Sequence, residues 1–79
     1  MPHFFFHVHE GSQRTADRAG ISLPDQEAAW YQAYRTARDI LPADPIERRI
    51  WAERSLEVED EAGQAVWTLP FGDVLELVA

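Results

Sequence analysis

The chain contains no cysteine and no lysine, and no apolar run approaches the roughly 20 residues that cross a bilayer. Each absence excludes something. Without cysteine there are no disulfides, no thiolate nucleophile and no cysteine-ligated metal. Secreted domains of this size ordinarily need disulfide staples, so a reducing, cytoplasmic setting is expected. The opening Met1-Pro2-His3-Phe4-Phe5-Phe6-His7 is too short and too rich in histidine for a secretory leader. Arginine supplies every permanent cation, and the net charge is −7. Phosphate backbones repel such a chain unless its arginines cluster. Arg48, Arg49 and Arg54 are interleaved with Glu47 and Glu53, so no direct nucleic-acid partner is expected. No glycine-rich phosphate loop or dinucleotide fingerprint occurs, and Ser12, Ser22 and Ser55 lack a nucleophile-elbow context.

What is present reads as one folded domain over residues 1–79. An apolar fraction of 46% argues against disorder. A chain this short buries only ~60% of its unfolded surface, which makes association an inexpensive source of stability.

Phe4 to His9 is aromatic and β-branched, as strands are. Alternation turns Phe4, Phe6 and Val8 toward a core and His3, Phe5, His7 and His9 toward solvent. Glu10-Gly11-Ser12 is turn chemistry, and Arg14-Thr15-Ala16 completes a hairpin. Asp17 to Gly20 reads as a further turn, after which Ile21 and Leu23 return to the core. Asp25 caps a helix that begins at Gln26 and carries Trp30, Ala33, Ala37, Ile40 and Leu41 on its buried stripe. Glu27 and the later Arg35 and Arg38 suit its dipole, and Pro42 stops it. Asp44-Pro45-Ile46-Glu47 has the form of a capping box opening a second, short helix. Ser55 to Glu59 alternates, with Leu56 and Val58 inward and Glu57 and Glu59 outward. Asp60 to Gly63 is a hairpin loop, and Gln64 to Leu69 is the returning strand. Phe71, Val74, Leu75 and Val78 match the spacing of a C-terminal helical turn. The expected fold is therefore α+β: a small antiparallel sheet in ββαββ order, covered on one face by the main helix.

Three groups of residues carry the comparison with a known family. They are the opening from Met1 through Val8 with Glu10-Gly11; the stretch Gly20-Ile21-x-Leu23-Pro24-Asp25-x-Glu27-Ala28-Ala29; and Leu56-Glu57-Val58-x-Asp60-Glu61-x-Gly63 followed by Leu69-Pro70-Phe71. In this order and spacing they resemble the bacterial domain of unknown function 6894. The resemblance implies a small α+β domain and brings no activity, cofactor or catalytic residue with it. A looser, fold-level likeness to small antitoxins that join a sheet hairpin to one helix is analogy.

Three constellations could carry chemistry. His7 and His9, two apart on a strand, project from one face with Cα atoms ~6.5–7 Å apart, close enough for two imidazoles to share a metal, with Glu10 as a further oxygen ligand. The competing reading pairs these histidines with Glu57 and Glu59 across the sheet. Removal of Met1 would expose Pro2 as a secondary amine, the general base of small tautomerases acting on keto or enol acids, with Arg14 to hold the substrate. The tautomerase resemblance fails where a hairpin replaces the helix those enzymes place after their first strand. Lastly, the aromatics outnumber the room in so small a core. Phe5, Tyr31, Tyr34 and Trp51 are the candidate interface residues. The alternative is that the Ile46–Trp51 helix or the C-terminal segment covers them within the chain. The leading expectation is a non-catalytic interaction or regulatory module without cofactor or membrane partner, binding a second copy of itself or another protein.

Overall fold

The alternation of Phe4, Phe6 and Val8 with His3, Phe5, His7 and His9 produces β1 (His3–Glu10). In the computed structural model, which describes residues 1–78, this strand runs through an antiparallel sheet. The other strands are β2 (Gln13–Thr15), β3 (Ile21–Ser22), β4 (Ser55–Glu59) and β5 (Ala65–Pro70); the helices are α1 (Gln26–Ile40), α2 (Pro45–Trp51) and α3 (Phe71–Val78). The expected α+β fold is the one observed, with all three helices present.

The sheet order is β2-β1-β4-β5, and β3 also pairs with β1. Register places Phe6 opposite Val58 and Val8 opposite Leu56 on one face, and Phe5 opposite Glu59 and His7 opposite Glu57 on the other. Strands β2 and β3 share the remaining edge of β1, meeting it at Val8 to Glu10 and at His3 to Phe4. Between them the Phe6 amide has no strand to bond. The Asp17 carboxylate accepts it instead, at 3.1 Å.

Asp25 caps α1 as the sequence indicates, accepting the Ala28 N–H at 2.8 Å. The buried stripe, however, is Ala29, Ala33 and Ala37, all fully buried, rather than one led by Trp30 and closed by Ile40. Only methyl-sized side chains fit where the helix axis lies nearest the sheet. Trp30 is displaced to the flank, where it stacks on Tyr34 with centroids 5.9 Å apart, and Ile40 at the helix end is exposed. Ile21 likewise stays exposed, because the β3 edge lies outside the area that α1 covers.

Phe4, Phe6, Leu56, Val58 and Leu69 from the sheet and Phe71 and Val74 from α3 complete the core, while Val8 is partly buried at its margin. Pro45 starts α2, and Asp44 accepts the N–H of Ile46 rather than that of Glu47. This short helix buries no side chain completely. It is anchored through Trp51, whose ring meets Phe71 edge-on at 5.2 Å while the Arg54 guanidinium lies 4.2 Å above it. In the β4–β5 loop Asp60 accepts the Ala62 and Gln64 amides, and Gly63 takes the positive φ the turn requires. Asp60 is thus a turn-closing residue.

Candidate functional site

The sheet face opposite α1 gathers most of the residues that chemistry would single out. Odd-numbered residues of β1 present His3, Phe5, His7 and His9; β4 adds Glu57 and Glu59, and β2 adds Arg14. Three rings form a ladder along β1. His3 meets Phe5 edge-on at 5.4 Å, and Phe5 stacks parallel to His7 at 6.4 Å.

The histidines engage the carboxylates diagonally across the two strands. His9 Nε2 lies 2.6 Å from Glu57 Oε2, and His7 Nε2 lies 3.5 Å from Glu59 Oε1. Arg14 Nη1 sits 3.9 Å from Glu59 and 4.0 Å from Glu57, so one guanidinium faces both acids. Glu10 turns away from this group to Arg54, at 3.0 Å. His7 and His9 do share a face, as their spacing requires, but each Nε2 addresses a different glutamate. Among the described residues no set of three histidine or acidic groups converges as a metal site would require.

His7 differs from the expectation of a solvent-facing histidine: it is 3% exposed. Its Nδ1 accepts the backbone N–H of Asp17 at 3.0 Å. An acceptor at Nδ1 leaves the ring hydrogen on Nε2, which defines the neutral tautomer. That Nε2 is buried without a hydrogen-bond partner, because 3.5 Å to Glu59 exceeds a good bond.

Asp17 organises the segment between β2 and β3. Besides Phe6 it accepts the N–H groups of Ala19 at 3.1 Å and Gly20 at 3.2 Å. Burial by itself raises its pKa; the amides of Phe6, Gly20 and Ala19 outweigh that and hold the carboxyl below its ordinary value. Gly20 has φ +68°, and a Cβ there would lie 2.6 Å from the His3 ring and 2.9 Å from the Phe4 carbonyl. The His3 ring is held by Ala19 O and Ser22 Oγ, at 2.8 and 3.0 Å. Sequence reading took Asp17 for an ordinary turn residue. The available signal was an aspartate three positions before a glycine, the spacing at which a side chain can cap following amides.

The four candidate interface aromatics are placed unequally. Tyr31 on α1 is 60% exposed. Phe5 is half-buried between two imidazoles, Tyr34 lies between Trp30 and Arg38, and Trp51 lies between Phe71 and Arg54. Beside Tyr31, the exposed large apolar side chains among the described residues are Met1, Ile21, Ile40, Ile46, Ile50, Trp67 and Leu77, none of them among the interface candidates. Pro2 is exposed and its carbonyl accepts the Leu23 N–H. Arg14 pairs opposite His9, seven residues further along the strand, which at ~3.3 Å per residue is about 23 Å from Pro2. The arginine that a tautomerase-like site would need is therefore at the far end of β1.

Fold and face together define a small α+β domain with one helix-covered sheet face and one charge-paired face. The chain belongs to the DUF6894 family, a domain of unknown function, whose family model matches residues 3–72. No curated protein and no solved structure matches it.

Proposed function

We propose that this protein is a non-catalytic interaction module that works by self-association. The observation that supports the reading is an imbalance in burial. Among the described residues ten apolar ones form the core, three of them alanines, while eight large hydrophobic residues stay exposed. Single exposed apolar residues are ordinary. Here they rival the core itself, and a chain this small gains stability by covering them. A regulatory, antitoxin-like role, in which the module captures a partner encoded beside it, is the narrower form of the same reading and rests on fold-level analogy. Sedimentation velocity on the untagged protein at micromolar concentrations tests the core of it. A dimer is the expected species; a monomer throughout the range overturns self-association.

A further inference from the structure

From Ala62 to Gly72 no residue is charged, in a chain that is 27% charged overall. Strand β5 lies within that stretch, and it is the end strand of the sheet. End strands of monomeric proteins are usually guarded by charge, because their outer backbone groups invite another strand. The residues of β5 are Ala-Val-Trp-Thr-Leu-Pro, and of these Ala65, Trp67, Thr68 and Pro70 are exposed. Trp67 is also held in place, its Nε1 donating to Gln26 O at 2.8 Å.

The hydrogen-bond parity of β5 identifies its free groups. The Phe71 N–H donates to Arg54 O, on the β4 side. Alternation then turns the amides of Leu69 and Trp67 toward β4 as well, and the N–H and C=O of Thr68 away from the sheet. Pro70 shares that outward parity and has no N–H to offer. At the other end of the strand the β4–β5 register shifts beside Glu59. Thr68 is thus the centre of a short, uncharged and unpaired edge, bounded on both sides.

We propose that β5 pairs antiparallel with β5 of a second copy, about a twofold axis at Thr68, so that two sheets become one. The proposal rests on the self-association reading above and names its surface. Three features favour a second copy over another partner. Antiparallel pairing about Thr68 is self-complementary: each N–H meets the other copy's C=O. The opposite edge of the sheet cannot accept β5 head-to-tail, since β2 and β3 are short and Asp17 fills the interval between them, so assembly closes at two. Charge also permits it. Two chains of net charge −7 repel, but this edge brings no like charges directly opposite. The glutamates on β4 would lie three strand spacings from those of the other copy, about 14 Å, beyond a Debye length of ~8–10 Å.

Thr68→Pro removes the outward N–H without touching the β4 ladder, and Thr68→Lys sets two like charges opposite each other at the axis. Sedimentation velocity, with far-UV circular dichroism as the check on folding, reads both. The expected result is a dimeric wild type and variants that keep their spectra while the dimer weakens by at least about tenfold, as the loss of two hydrogen bonds implies. Folded variants that dimerise like the wild type overturn the β5 pairing and leave self-association through another surface. A monomeric wild type overturns both. If the proline variant does not fold, the lysine variant, altered at one exposed side chain, decides.

Discussion

Asp17 shows how one side chain can take the place of a strand. Its carboxylate receives the Phe6 amide that falls between β2 and β3, and its own N–H gives His7 a fixed tautomer. Because the folded pKa of Asp17 is lowered, its contribution is present above the unfolded value of 3.8 and is lost as pH falls through the folded value. Asp17→Asn keeps the size but turns an NH2 group toward one of the donors. It should cost about 1.5–3 kcal/mol at neutral pH, the range for hydrogen bonds to a charged group. Urea unfolding of both proteins checks this, and the gap between them should narrow once the pH is below 3.8. An undiminished gap in acid would assign the loss to packing. The contrast between His7 and His9 belongs to the same scale. Two positions apart on one face, one is 3% exposed while the other is only half-buried beside Glu57. Period-two spacing assigned them the same environment, since it says nothing about which loop folds over a strand.

At the scale of elements, α1 is the instructive case. Its start at Gln26, its Asp25 cap and its end before Pro42 were all legible, because caps and prolines act through neighbouring backbone groups. The buried face was legible only in part. Ala33 and Ala37 were assigned correctly, while Trp30 drew the stripe toward itself by its hydrophobicity. Closeness of approach decides the matter in favour of Ala29. Ala33→Leu should therefore destabilise the fold by about 1–3 kcal/mol despite the added apolar surface, because the axis would have to move away from the sheet. Guanidinium unfolding with an unchanged m-value would confirm it; a neutral or stabilising effect would show spare room beneath the helix. For α2 the cap and its proline were equally readable, but not that Trp51, rather than Ile46 or Ile50, would be the apolar residue packed on the core. Trp51 finds Phe71 twenty positions later in the chain, which no local pattern records.

For the whole molecule, size and charge set the terms. Among the described residues the core draws on five from the sheet, three alanines of α1 and two from α3, and eight large apolar groups remain at the surface. If a second copy covers part of that surface, the folded state is stabilised by mass action. The melting temperature should then rise with protein concentration, by a few degrees over a hundredfold range for a domain of this size. Differential scanning calorimetry at two concentrations measures it. A concentration-independent transition would mean that the stable unit is the single chain. Thr68→Lys should remove the dependence while leaving the dilute transition in place.

The sequence by itself determined the order of the elements apart from β3, the two capping aspartates, the turns, the inward set of Phe4, Phe6, Leu56 and Val58, and the family. The family rests on the order and spacing of three groups of residues and on the family-model match; the rest follow from periodicities and from contacts among near neighbours in the chain. Only the tertiary structure decided that His7 is buried, that Asp17 fills the interval between β2 and β3, that Arg14 lies far from Pro2 and that β5 ends the sheet with its uncharged edge open. Each of those depends on which distant segments meet. Register across strands and the depth of helix packing choose among arrangements that local spacing leaves equivalent.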